Sequence, residues 1–272
     1  MSDREQPTSE PTTTVVEEEE EDEIEKGLFE EPEDFYKPPP EPTFRTYHRK
    51  CGEDVKLKLV GSHPLWAHLL WNAGLVLADY LDANPSLLHG KTVLELGAGG
   101  SLPSIIAIKH GAKKVVVTDY PEKELIVNVH ENIEANTTAA ERENVVNIQG
   151  HLWGTSVEPL LAALADVGET KFDVVIMADL IFNHNQQTQL LQTARAALKD
   201  DGKVLVSFSS HRPSVAHLDE RFFDMARQEE HGGFEVEHLF TEIRTPMFAV
   251  DFGSEEVRST VHVRVLTWPT KK

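Results

Sequence analysis

The residues with the clearest chemical potential lie in Val93-Leu94-Glu95-Leu96-Gly97-Ala98-Gly99-Gly100-Ser101-Leu102-Pro103. An apolar run carries the carboxylate of Glu95, turns on three glycines and continues into Ile105-Ile106-Ala107-Ile108. That order reads as strand, glycine turn and helix. Glycine lets the backbone turn sharply and lets a ligand approach main-chain N–H groups with no Cβ in the way. A second apolar run, Lys114-Val115-Val116-Val117-Thr118, ends at Asp119. Acidic residues thus sit at or just past the ends of two successive strands, where an adenosine ribose lies in a nucleotide-binding fold. The run Gly-x-Gly-Gly-Ser departs from the Gly-x-Gly-x-x-Gly of dinucleotide sites. A strand-to-helix turn that binds nothing has a similar pattern.

Further along, Phe172-Asp173-Val174-Val175-Ile176-Met177-Ala178 reads as a buried parallel strand that ends at Asp179-Leu180-Ile181-Phe182-Asn183. The carboxyl ends of such strands face the ligand crevice, which puts Asp179 and Phe182 near a reacting centre. Two tryptophans stand at related places. Trp71 falls about 140° from Trp66 on a helical wheel, off the apolar stripe of its segment, and either flanks a ligand or packs on a neighbouring element. Trp153, in His151-Leu152-Trp153-Gly154 after a short strand, either meets an adenine edge or caps the core. His211, in Ser209-Ser210-His211-Arg212-Pro213, either touches substrate or is a solvated loop residue. The histidines are scattered without metal-ligand spacing, so no metal site is expected. Neither a P-loop nor a Gly-x-Ser-x-Gly elbow is present.

These groups need a scaffold. Thr43 to Tyr47 and Val55 to Val60 alternate around the turn cluster Cys51-Gly52-Glu53-Asp54, which predicts a β-hairpin. Such a hairpin covers a sheet edge or helps to hold substrate. Pro64 to Asp82 reads as one amphipathic helix, with Trp66, Leu69, Leu70, Ala73, Leu77, Tyr80 and Leu81 as its stripe. Helices follow at 121–136, 186–198 and 214–230. Strands follow at 144–149, 203–209, 234–240 and 257–268, and a loop with apolar Met247, Phe248 and Val250 precedes the last. Strands alternate with helices five times and close in a strand–loop–strand pair. That predicts an α/β sandwich with a mostly parallel sheet and one antiparallel strand near an edge.

Charge is uneven. Residues 1–34 hold 15 acidic side chains against Arg4 and Lys26, most of the formal net charge of −20. They read as a disordered acidic tail, either a lure for a basic substrate or simply solvated chain. Residues 35–62 form an extension carrying the hairpin, and 63–272 the main domain. A moderately acidic domain does not suit a phosphate backbone, so nucleic acid is not an expected partner. Cys51 is the only cysteine, which excludes an intrachain disulfide and fits a reducing compartment. No apolar run approaches the ~20 residues of a membrane span, and the N-terminus is unlike a signal peptide. The expected location is the cytoplasm.

The order Leu70-Trp71-Asn72-Ala73-Gly74, Glu95-x-Gly-x-Gly, Asp119, Leu152-Trp153-Gly154 and Asp179-Leu180-Ile181-Phe182 resembles the methyltransferase-like 21 group of protein methyltransferases, whose last motif is Asp-x-x-Tyr/Phe. With His63-Pro64-Leu65-Trp66, Gly99-Gly100-Ser101-Leu102-Pro103 and Thr118-Asp119-Tyr120-Pro121, the chain is similar to the fungal elongation factor methyltransferases once labelled nicotinamide N-methyltransferases. The resemblance implies a class I, seven-strand, Rossmann-like methyltransferase sandwich over roughly residues 43–268. It implies S-adenosyl-L-methionine as cofactor, held by Trp71, Glu95, Gly97, Ala98, Gly99, Asp119, Trp153 and Ala178. It implies Asp179 and Phe182 as the residues nearest the chemistry. It also implies a monomer acting on the N-terminal glycine and then the adjacent lysine of translation elongation factor 1-alpha. A small-amine methyltransferase of the nicotinamide type and a silent cofactor-binding module share these motifs and stay open at this point.

Overall fold

The computed structural model describes residues 40–248 and 253–269; the expected acidic tail at 1–34 lies outside them. Its centre is a seven-stranded sheet in the order β5-β4-β3-β6-β7-β9-β8. The strands are β3 (Thr92–Leu96), β4 (Lys114–Asp119), β5 (Val146–Gly150), β6 (Phe172–Ala178), β7 (Leu198–Ser209), β8 (Glu235–Ile243) and β9 (Thr260–Thr267). β3, β4, β5, β6 and β7 pair in parallel, and β9 runs antiparallel between β7 and β8. This is the predicted α/β sandwich with one antiparallel strand near an edge. From β3 the chain winds outward through β4 and β5, then returns to lay β6 on the other side of β3. The reversal between β3 and β6 is the switch point at which open α/β sheets form their crevice. β3 is buried along its whole length, and β6 is buried or nearly so, as strands covered on both faces must be.

Five helices of eight residues or more cover the described faces: α1 (Asn72–Ala83), α2 (Leu102–Lys109), α3 (Lys123–Asn136), α4 (Gln187–Ala197) and α5 (Ala216–Ala226). One buried cluster joins α1, α2 and α3 to one side of the sheet through residues such as Leu77, Ile105, Val129 and Ile176. The other joins α4 and α5 to the opposite side through Leu94, Phe172, Leu190 and Phe222. No helix among the described residues is long and apolar enough to cross a membrane.

The predicted hairpin is present as β1 (Thr43–His48) and β2 (Asp54–Leu59), antiparallel, with Tyr47 opposite Val55. It docks on α3 rather than on the seven-stranded sheet. Asn132 and Asn136, one helical turn apart, each accept from and donate to the backbone of Lys58 and Lys56 at 2.7–2.8 Å. Two side-chain amides thereby stand in for a neighbouring strand along the outer edge of β2. Leu57 and Leu59 reach the glycine turn, so a Cβ on Gly100 would lie 3.3 Å from Leu59.

Three predicted elements differ. The strand expected from Lys203 begins at Leu198, which pairs with Phe172 across an irregularity in the register with β6. The helix expected from Pro64 begins only at Asn72, because residues 63–71 form successive turns and Trp66 has φ of +63°. The apolar spacing there is helical, but tertiary contacts hold Trp66 and Trp71 against other parts of the chain. The strand expected from Val257 begins only at Thr260. Glu255–Ser259 is a helical turn whose start is held by the Ser254 hydroxyl, which accepts from Val257 N–H.

Candidate active site

The glycine turn leaves β3 with Gly97 at φ +59° and Gly99 at φ +50°, both in the left-handed region. A Cβ on Gly97 would meet the Leu180 side chain at 2.6 Å and the Trp153 ring at 3.4 Å. Only glycine satisfies both the backbone and the space there. Ser101 also takes φ +62°, and Ser101 N–H donates to Ala98 O at 2.6 Å, closing the turn.

Two buried carboxyl groups flank the turn. Glu95 accepts from the backbone N–H of Ser104 at 3.1 Å and from its hydroxyl. Burial pushes the Glu95 carboxyl up to about 8, against the pull of those two bonds. Asp119, at the end of β4, accepts from Gly99 N–H at 2.7 Å through Oδ2 and from Tyr120 N–H at 2.7 Å through Oδ1. Burial raises its pKa as well, and the two backbone donors oppose the rise. His151 also lines the cavity, and burial lowers the pKa of its ring, favouring the neutral form. Its backbone N–H donates to Asp119 O at 2.9 Å, tying the loop after β5 to the end of β4.

Across the crevice, Asp179 follows β6 with φ +57°, a conformation that aspartate tolerates better than most side chains. Its backbone N–H is fixed to Ser207 O at 2.8 Å, and the residue is 3 % exposed. Its Oδ2 accepts from His211 Nε2 at 3.0 Å. Aromatic rings gather beside this carboxylate. Trp71 lies 4.7 Å from the His211 ring, 6.0 Å from Phe248 and 6.5 Å from Phe182, the last nearly parallel at 29°. Trp66 reaches Phe248 at 5.7 Å and accepts from Trp71 Nε1 through its carbonyl at 3.3 Å. Four separate stretches of chain therefore build one aromatic wall.

A cavity of about 350 Å³ lies between these two halves. Every predicted site residue lines it: Trp71, Glu95, Gly97, Ala98, Gly99, Asp119, Trp153, Ala178, Asp179 and Phe182. Its size is within the range of sites that enclose a small molecule. The glycine turn that a Cβ would fill, and the two acidic strand ends, suit a nucleoside ligand. Sequence reasoning misses Trp66, Tyr120, Leu152 and Gln186 on the lining. The periodicity assigns Trp66 to a buried stripe, yet it is 42 % exposed at the cavity. Tyr120 and Leu152 adjoin predicted residues, and that adjacency to strand ends is the available signal. Phe248 is visible in the sequence only as part of an apolar loop, and the partnership of His211 with Asp179 is not visible there.

A family described as lysine methyltransferase matches residues 56–229. Among curated relatives, the protein N-terminal and lysine N-methyltransferase efm7 of Neurospora crassa is 44 % identical over 90 % of this chain and 88 % of its own. The enzyme of the same name from Schizosaccharomyces pombe is 41 % identical over 89 % and 95 %. Among solved structures, a protein of Pyrococcus horikoshii assigned as an RNA methyltransferase superposes with a TM-score of 0.53. It is 23 % identical and covers 78 % of this chain and 92 % of its own, a likeness of fold.

Proposed function

The chain belongs to the lysine methyltransferase family, and from that premise we propose that it methylates protein amines with S-adenosylmethionine. We take the substrate to be the N-terminal segment of translation elongation factor 1-alpha, its first glycine and then the adjacent lysine. The named activity of relatives above 40 % identity supports the first statement. The motif resemblance supports the second. The observation that carries the reading is one shared cavity, with glycine turn and carboxylates on one side and Asp179 within an aromatic wall on the other.

When bound, S-adenosylmethionine supplies a methyl group already activated by its sulfonium. The residues of the chain have only to hold the two partners in line. The cofactor would be held by the backbone of Gly97, Ala98 and Gly99, by Glu95 and Asp119, and by Trp71, Trp153 and Ala178, all of which line the cavity. The amine must present a lone pair. A lysine side chain, near pKa ~10.4, is mostly protonated at neutral pH, whereas an α-amine, at about 7.7–8.0, is partly free. A carboxylate favours the ammonium form, so Asp179 orients the amine rather than removing its proton. Phe182 and the neighbouring rings give an apolar wall that also accepts a cation over its faces.

The test is transfer of labelled methyl from S-adenosylmethionine to purified elongation factor 1-alpha, with nicotinamide in parallel. Label on the N-terminal peptide supports the proposal. Label on nicotinamide alone moves the reading to small amines, and tight cofactor binding without transfer to either removes it. Asp179→Asn is expected to bind cofactor normally and to lose at least roughly tenfold in kcat; full turnover would rule out the role given to Asp179.

A further inference from the structure

We propose that His211 is a positioning residue for methyl transfer, fixing the Asp179 carboxylate in the orientation that receives the incoming amine. This rests on the methyltransferase reading above. An aspartate carboxylate can rotate about its own side chain, and a misplaced one no longer sets the amine in line. Asp179 is buried, and burying a charged group demands a hydrogen-bonding partner. His211 Nε2 provides it at 3.0 Å, on Oδ2, at a residue that lines the cavity.

His211 is itself held. Its backbone N–H donates to Ser209 O at 3.0 Å, and its ring packs on Trp71 at 4.7 Å and on Phe248 at 6.0 Å, edge to face. The loops that carry the pair are tied together a second time. Asp219, buried on α5, accepts from His184 Nε2 at 2.7 Å and from Ser210 Oγ at 2.8 Å. So the loop after β6 gives an aspartate to the loop after β7, and a histidine to the helix that follows it. His211 therefore couples the amine-binding carboxylate to the aromatic wall as one unit.

The test separates the hydrogen bond from the ring. In the full-length protein, His211→Phe keeps an aromatic ring against Trp71 and Phe248 but has no N–H. His211→Gln loses the ring but keeps a donor near the same place. His211→Phe is expected to lower kcat by about tenfold to a hundredfold, with cofactor affinity unchanged, while His211→Gln stays within about threefold of wild type. In an Asp179→Asn background His211→Phe is expected to add nothing further. His184→Phe, which has no N–H and so cuts the neighbouring tie to Asp219, is expected to lower the melting temperature and leave kcat unchanged. Equal losses in the Phe and Gln variants, additivity with Asp179→Asn, or an equal kcat loss in His184→Phe would each overturn the proposal. If His211→Phe does not fold, the double cycle run with His211→Ala carries the same test. Absence of methyl transfer by the wild-type protein would instead remove the reading beneath it.

Discussion

Glu95 shows how a carboxyl group at the cavity is held at a cost to the fold. Its carboxyl sits in the core at the foot of the glycine turn, and burial raises it from an ordinary 4.5 to about 8. The folded state therefore holds this proton more tightly than the unfolded chain. Stability from the protonated form is complete below about 4.5 and is lost as pH rises toward 8. Glu95→Gln keeps a neutral group that can still accept from Ser104 N–H. Its melting temperature is expected to exceed wild type, and the gap is expected to widen by roughly 5 °C, or about 2 kcal/mol, between about pH 6 and pH 9. A gap that is constant across that range in thermal denaturation would sink this account of Glu95. Glu95 and Asp119 are legible in the sequence because each ends or nearly ends an apolar run, and apolar runs fix parallel strands. The pair Asp179–His211 is not, since its members are 32 positions apart and meet only because β6 and β7 are neighbours in the sheet.

At the scale of elements, the hairpin is joined to the domain by two asparagines that replace a strand. Asn132 serves both backbone groups of Lys58, and Asn136 both of Lys56. Replacing both by alanine leaves those groups without their partners, at about 1 kcal/mol for the half-buried pair on Lys58. The amides of Lys56 and Lys58 are then expected to exchange with solvent at least roughly tenfold faster, with those of β3 unchanged. Hydrogen exchange read residue by residue decides it; uniform acceleration through β3 would mean that the hairpin is not an independent unit. Alternation announces β1 and β2, but nothing in the pattern of α3 distinguishes a docking asparagine from a solvated one. The same limit explains residues 63–71. Their apolar spacing is helical, yet His63 bonds Glu122 across the chain at 2.9 Å and Trp66 turns toward Phe248. The turn at Glu255–Ser259 is more readable than it looks, because Ser254 before two glutamates is a helix start.

Over the whole sequence, acidic charge is concentrated at one end. Among the described residues, those lining the cavity fall between Leu65 and Gln186, while residues 1–34 of the sequence carry 15 of the 46 acidic side chains and only two basic ones. Such a concentration of negative charge raises the encounter rate of a cationic substrate over distances of a Debye length, about 10 Å at 0.1 M salt, and it does so less as salt screens it. A substrate presenting an α-ammonium and a lysine is of that kind. The variant lacking residues 1–34 is therefore expected to bind S-adenosylmethionine as the full chain does. Its kcat/KM on a basic N-terminal peptide is expected to be several-fold lower at about 50 mM salt and to match the full chain near roughly 0.5 M. Steady-state kinetics at both salts provide the check. If the two proteins lose activity in parallel as salt rises, the long-range attraction resides in the domain itself, whose own acidic excess is smaller. A loss of cofactor affinity in the truncated protein would show instead that residues 1–34 act on cofactor binding and not only on the encounter with substrate.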